Sequence, residues 1–143
     1  MLHTEATLII SQPIEQVFSF VSNLENRPLW RAGTLETKQT PQGTNGVGTS
    51  FHEVFELFLG KKGEADYRIT EYEANKRLVF VSTSGPMQIM ETLTFEAAEG
   101  KTRITQTTDA NFNRFKIIEP LFKGMGQRML VANLSRLRDQ LER

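Results

Sequence analysis

The chain has 143 residues, a length that suits one domain, since domains commonly run about 100–200 residues. It contains no cysteine, which excludes disulfides, thiol catalysis and cysteine-ligated metals. Seventeen basic residues balance seventeen acidic residues and form no basic block, so we expect no nucleic-acid partner. We expect a single domain over residues 1–143, cytoplasmic because it needs no disulfide and shows no signal peptide, with no stable membrane insertion.

The first thirty residues carry a strand pattern followed by two helical patterns. Residues 3–10 alternate in polarity as a strand does. Pro13 follows at a position that suits the first turn of a helix, where its missing N–H costs nothing. Apolar side chains then recur at helical spacing in Ile14, Val17, Phe18 and Val21. Residues 24–31 are typical of a second short helix or turn, interrupted by Pro28.

From Thr34 onward the pattern is that of strands joined by short turns. Short connections of this kind usually link antiparallel neighbours. Six strands are predicted, over residues 34–40, 50–59, 64–73, 77–84, 87–97 and 101–112. The glycine-rich residues 43–48 lie between two of these strands and lack the lysine of a phosphate-binding loop, so they predict a flexible turn.

The last element is a long amphipathic helix over residues 115–143. Pro120 lies near its beginning and marks the true start or a kink. The apolar stripe comprises Ile118, Phe122, Met125, Met129, Leu130, Leu134, Leu137 and Leu141.

The hairpin around Gly100 indicates which side of the sheet faces inward. Threonines alternate with apolar residues on both arms, and threonine-rich faces suit a solvated surface. Extending this alternation by period two predicts the inner face of every strand from residue 51 onward. Its members are Phe51, Glu53, Phe55, Leu57, Tyr67, Ile69, Leu78, Phe80, Met87, Ile89, Glu91, Leu93, Phe95, Ile104, Gln106, Thr108, Ala110 and Phe112.

Two carboxylates, Glu53 and Glu91, therefore fall on an otherwise apolar inner face, with Gln106 and Thr108 nearby. An inward carboxylate is unfavourable unless it is paired or hydrogen-bonded. Either these groups hold the polar end of a ligand or act as an acid or base, or the register is shifted. A position at a water-filled cavity mouth is a further alternative.

The chain resembles the START-like (SRPBCC) superfamily, often called polyketide cyclase/dehydrase and lipid transport proteins. The residues that carry the resemblance are Ile10, Pro13, Val17, Phe18, Pro28, Trp30, Gly48, Phe95 and those in 23–26, 69–72, 77–80, 100–105 and 134–137. The resemblance implies an α+β helix-grip fold, in which a curved antiparallel sheet of about seven strands wraps around a long C-terminal helix. Two short helices follow the first strand.

The resemblance also implies a cavity between sheet and helix that accepts a hydrophobic or amphipathic small molecule. The candidate cavity residues are Trp30, Phe51, Glu53, Phe55, Tyr67, Ile69, Phe80, Ile89, Glu91, Leu93, Gln106, Thr108, Phe112, Phe122, Met125 and Met129. Trp30 either stacks on a ligand or fills the space between helix and sheet. Met125 and Met129 are either an adaptable pocket wall or ordinary core. His52 falls on the outer face, and no metal site or cofactor is expected.

Three functions remain open at this point. The first is non-covalent binding of a small hydrophobic ligand, such as a lipid, a quinone or a polyketide-like ring system. The second is a cyclase or dehydratase that uses Glu53 or Glu91, with a pKa raised by burial, as its acid or base. The third is a co-chaperone-like interaction module with an exposed apolar patch along residues 112–115. A monomer or a homodimer fits each of them.

Overall fold

The computed structural model describes residues 2–40, 46–56, 60–111 and 119–143. In chain order the elements are β1 (Leu2–Ile10), α1 (Ile14–Ser22), α2 (Arg27–Trp30), β2 (Thr34–Thr40), β3 (Ser50–Glu56), β4 (Lys62–Glu73), β5 (Arg77–Ser84), β6 (Gln88–Ala98), β7 (Lys101–Asn111) and α3 (Glu119–Leu141). A single 3-10 turn, Leu24–Asn26, connects α1 to α2.

Within the described ranges, seven strands form one antiparallel sheet in the order β1-β7-β6-β5-β4-β3-β2. The strands from β2 to β7 pair with their neighbours in sequence, as short turns require, and β1 pairs with β7. Bulges interrupt the pairing of β2 with β3 and, twice, that of β4 with β5. Because bulges increase twist and bend a strand, they help to curve the sheet. The predicted helix-grip fold is confirmed.

The register places the two glutamates on the concave face. Glu91 lies opposite Phe80 on one side and Thr108 on the other, and Glu53 lies opposite Thr37. Both glutamates are only 2% exposed. The alternatives of a shifted register and of a water-filled mouth are therefore wrong for these two residues. The predicted inner-face residues at positions 57 and 112 lie outside the described residues.

Helix α1 fixes the position of the short helix that follows it. Its buried Phe18 makes edge-on contacts with Tyr72 and Phe95, at centroid distances of 5.5 and 5.0 Å. The chain then turns at Asn23, whose side chain accepts a hydrogen bond from the backbone N–H of Glu25 at 3.3 Å. Helix α2 begins directly after this turn, with proline in its first turn.

Helix α3 packs along the edge strand β1 and against α2. The buried face of its second half consists of Leu130, Leu134, Leu137 and Leu141. In its first half the helix approaches β1 through Gly126, beside Thr4, and through Gln127, whose amide bonds both backbone groups of Glu5.

Met125 and Met129 lie on the uncovered side of α3 and are 49% and 48% exposed. Their interpretation as ordinary core is therefore wrong. No helix in the described part of the chain is long and apolar enough to cross a membrane.

Candidate functional site

The centre of the site is an ion pair between Arg27 on α2 and Glu53 on β3. The guanidinium of Arg27 is 1% exposed and donates through Nε to Glu53 Oε2 at 2.7 Å and through Nη2 to Oε1 at 3.5 Å. Thr37, on the neighbouring strand β2, donates to the same Oε2 at 3.1 Å. Both oxygens of Glu53 are thus engaged by donors.

Glu91 on β6 forms the second half of the same cluster. Its Oε2 accepts hydrogen bonds from Arg31 Nη1 at 3.2 Å and from Gln106 Nε2 at 3.1 Å. Arg27 Nη1 lies 3.8 Å from this oxygen and links the two halves. The hydrogen bonds and ion pairs of Glu91 to described residues all involve Oε2. Its Oε1 therefore accepts no hydrogen bond from the described residues.

Aromatic rings surround the Arg27 guanidinium. Its central carbon lies 4.7 Å from the ring centroid of Phe80 and 5.4 Å from that of Phe51, which are cation–π distances. Tyr67 stacks on Phe51 with their centroids 5.1 Å apart. Arg31 lies over Trp30 in the same way, at 5.8 Å. The cluster is therefore held in a low-dielectric environment in which its hydrogen bonds are strong.

Burial and pairing act in opposite directions on these groups. Burial alone would raise the pKa of Glu53, but the charges of Arg27 and Arg31, with hydrogen bonds from Arg27 and Thr37, lower it overall. Burial likewise opposes the charge of Arg27, yet the two carboxylates raise its pKa above the usual value. Burial and the nearby carboxylates raise the pKa of Tyr67 to about 12. The two formal positive charges of the arginines equal the two formal negative charges of the glutamates, so the cluster has no net formal charge.

Sequence reasoning missed both arginines of this cluster. Arg27 begins α2, and Arg31 caps its C-terminal end four residues later, where its backbone N–H donates to the carbonyl of Arg27. The signal that identifies them is indirect. Two inward carboxylates require cations, and this segment supplies the two arginines that flank Trp30.

The structure brings about half of the predicted cavity residues to the cluster. Those that touch it or surround it are Trp30, Phe51, Glu53, Tyr67, Phe80, Glu91 and Gln106. Ile69 and Leu93 are buried in the surrounding core, and Phe55, Ile89, Thr108 and Phe122 are half-buried. Met125 and Met129 are half exposed, and Phe112 lies outside the described residues.

His52 lies on the outer face of the sheet, as predicted, and takes no part in the cluster. Its Nδ1 lies 2.7 Å from Asp66 Oδ1, and its Nε2 lies 3.4 Å from Glu64 Oε1. The hydrogen bond to Asp66 raises the pKa of His52. Among the described residues, no group of three or more acidic or histidine side chains could hold a metal ion.

An open groove of about 480 Å³ lies away from the cluster, between α1 and the end of α3. Its lining includes Phe20, Asn23 and Gln140, and none of the predicted cavity residues. It is therefore a separate surface from the concave face.

The family model described as polyketide cyclase / dehydrase and lipid transport matches residues 1–142. The chain belongs to this family, which confirms the resemblance inferred from the sequence. No protein with a curated description matches the chain in sequence.

Solved structures share the fold at low sequence identity. A START superfamily protein from Mycobacterium smegmatis is 14% identical, with a TM-score of 0.84 over 99% of this chain and 98% of that chain. The Zhui aromatase/cyclase from Streptomyces sp. R1128 is 12% identical, with a TM-score of 0.82 over 99% and 93%. TTHA0849 from Thermus thermophilus is 21% identical, with a TM-score of 0.75 over 98% and 94%.

Removal of Arg27 alone should be strongly destabilising, because it leaves the Glu53 carboxylate buried without its main partner. For Arg27→Met we expect a loss of about 3–5 kcal/mol in the free energy of unfolding, measured by urea denaturation. The double variant Arg27→Met/Glu53→Leu should recover most of this loss, because it leaves neither charge unpaired.

The exposed pair Arg103–Glu96, at 3.1 Å, is the matched control for this measurement. Arg103→Met should cost less than about 1 kcal/mol, since solvent screens the pair. An equally small cost for Arg27→Met would contradict the buried pairing.

Acid should destabilise the protein through Glu53. Because the pKa of this carboxyl is lower in the folded state, the unfolded chain binds the proton first as the pH falls. The stabilisation is complete at neutral pH, and we expect it to decline below about pH 5. Thermal unfolding followed by circular dichroism should show a shallower decline for Arg27→Met/Glu53→Leu, and equal slopes in both proteins would exclude Glu53 as the cause.

Proposed function

We propose that this protein binds a small amphipathic molecule on the concave face of its sheet. The polar end of the ligand lies at the buried cluster that Arg27, Arg31, Glu53, Glu91 and Gln106 form. The candidate ligands are lipids, quinones and polyketide-like ring systems. The observation that carries the proposal is the cluster itself, in which two arginines, two glutamates and Gln106 meet inside an aromatic interior.

Stability alone does not account for such a cluster. Replacing a buried ion pair by well-packed apolar residues is often neutral or stabilising, because removing the charges from water costs so much. A few polar groups within an apolar concave surface are instead the usual design of a small-molecule site. The raised pKa of Arg27 and the lowered pKa of Glu53, which reflect their charge pairing, support the same conclusion.

The partly exposed residues around Glu91 indicate where a ligand approaches. Ile89 precedes Glu91 by two positions on β6 and shares its face, and Thr108 lies opposite Glu91 on β7. Both residues are half-buried, whereas Glu91, which adjoins each of them, is buried. We take this end of the strands as the mouth of the proposed site. Met125 and Met129 remain candidates for its wall on α3.

Membership of the polyketide cyclase / dehydrase and lipid transport family supports a hydrophobic ligand. The absence of cysteine is compatible with the proposed cytoplasmic location, where disulfides are rare. The apolar patch that the interaction-module alternative requires, at residues 112–115, lies outside the described residues.

An enzyme of the cyclase or dehydratase type is the second candidate, and Glu91 favours it. A general base needs free lone pairs, and Glu91 Oε1 has no partner among the described residues. Glu53 lacks the raised pKa that this mechanism requires. Its pKa is lowered, and both of its oxygens accept hydrogen bonds. In this alternative Glu91 removes a proton from a carbon next to a carbonyl group.

Blocking the mouth tests the binding proposal. Nile red, a neutral dye that brightens in apolar surroundings, should titrate to one site per chain in the native protein. Ile89→Trp should lower the affinity for the dye by at least about tenfold, because the larger ring fills the approach to Glu91.

Met90→Trp is the matched control, since residue 90 is adjacent, exposed and on the opposite face of β6. It should bind the dye as the native protein does. The proposed site is refuted if the native protein does not bind the dye saturably, or if the two variants bind it equally well.

The enzyme candidate is tested with 2,6-heptanedione, a diketone that cyclises with loss of water to a conjugated enone. Catalysis through Glu91 predicts that Glu91→Gln lowers the rate of enone formation by about 10²–10⁴-fold. Glu96→Gln, on the same strand but exposed, should keep the native rate. Equal rates for native protein and Glu91→Gln would remove Glu91 as a base.

A further inference from the structure

We propose that the open groove between α1 and the end of α3 binds an uncharged saccharide. The groove has a volume of about 480 Å³, and none of its lining residues belongs to the buried cluster on the concave face. A space of this size lies within the range of small-molecule sites and can hold a mono- or disaccharide. This site is independent of the proposed function, because it lies on a different surface and takes a different ligand.

One wall of the groove is the outer face of α1. Gln16, Ser19, Phe20 and the helix cap Asn23 all line it. Their spacing of i, i+3, i+4 and i+7 places them on one side of the helix, away from the apolar side that packs in the core. Three of these four side chains are polar and uncharged.

The other wall is the end of α3, which two hydrogen bonds hold beside the start of α1. Gln12 Nε2 donates to the backbone carbonyl of Leu141 at 2.9 Å. The backbone N–H of Ser11 donates to Glu142 Oε2 at 2.8 Å. The two walls are therefore fixed relative to each other, and a preorganised site loses less entropy when it binds a ligand.

The amide side chains of the groove keep hydrogen-bonding atoms that the fold does not use. Asn26 Nδ2 donates to a backbone carbonyl of α1 at 3.1 Å, which leaves Asn26 Oδ1 as an acceptor. Asn23 accepts a backbone N–H through Oδ1, which leaves its Nδ2 as a donor. Gln140 Nε2 donates to a backbone carbonyl at 3.4 Å, which leaves its Oε1 as an acceptor. Among the described residues, the side chains of Gln16 and Ser19 have no hydrogen-bond partner.

This lining matches the chemistry of a sugar. A carboxamide presents a donor and an acceptor side by side, and two neighbouring sugar hydroxyls present the complementary pair. The half-buried ring of Phe20 offers an apolar surface to the C–H groups of a sugar ring. Among the described residues that line the groove, Arg143 is the one charged side chain, and it is exposed to solvent. Hydrogen bonding rather than charge therefore selects the ligand.

Titration of the native protein with four neutral disaccharides tests the site. The probes are maltose, cellobiose, lactose and trehalose, and the readout is the NMR signals of the side-chain NH₂ groups. At least one disaccharide should shift the signals of Gln16, Asn23 and Gln140 saturably. Cyclohexanol, which keeps a six-membered ring but has one hydroxyl, should bind at least about tenfold more weakly than the best disaccharide, because it makes fewer hydrogen bonds.

Two substitutions at exposed positions of α1 locate the binding. Ser19→Trp places a large ring in the groove and should lower the affinity for the best disaccharide by at least about tenfold. Gln16→Ala should lower it several-fold, through the loss of one or two hydrogen bonds. Glu15→Ala is the matched control, since Glu15 is adjacent and exposed but does not line the groove. Met90→Trp adds the same ring on the outer face of the sheet and should bind as the native protein does.

Three results would overturn this site. They are no saturable shift with any of the disaccharides, equal affinity of the native protein and Ser19→Trp, and tighter binding of acetyl-trialanine amide than of every disaccharide. The last result would mean that the groove takes an extended peptide, whose backbone also pairs with carboxamides. Nile red should bind Ser19→Trp as it binds the native protein, so a failure of the saccharide site leaves the proposed function intact.

Discussion

The structure depends on the pairing of one buried cation, Arg27, with the carboxylates of the concave face. A guanidinium that is 1% exposed persists only if its charge and its N–H groups find partners. Glu53 supplies both of its oxygens, and Phe51 and Phe80 supply ring faces. Because Arg27 belongs to α2 and Glu53 to β3, the pair fixes the helical turn against the sheet. The same turn carries Trp30 and Arg31, so their positions follow from it.

Strand periodicity made the inner face predictable, including its least expected members. In an antiparallel sheet alternate residues share a face, so one well-defined hairpin determines the neighbouring strands. This reasoning placed Glu53 and Glu91 inside, and burial confirms it. It did not identify Arg27 or Arg31, because a four-residue helix is too short for a periodic pattern. Only the requirement that buried carboxylates be paired leads to them.

Helical periodicity was less reliable in α3, for a reason that lies outside the helix. The stripe correctly includes Leu134, Leu137 and Leu141, which pack in the core. Met125 and Met129 continue the same spacing, yet the helix there rests on the edge strand β1 and leaves them uncovered. A sequence pattern reports which residues share a helix face. It does not report how far the sheet extends beneath that face.

The two glutamates have similar burial but different contacts, and this difference gives each a separate role in the proposed site. Both oxygens of Glu53 accept hydrogen bonds from Arg27 or Thr37, so this residue holds the architecture together. Glu91 engages one oxygen only, and its neighbours Ile89 and Thr108 are half-buried. Arg31 and Gln106 both donate to its Oε2. The cluster thus combines a half that fixes α2 against the sheet with a half, at Glu91, in which one carboxylate oxygen has no partner among the described residues.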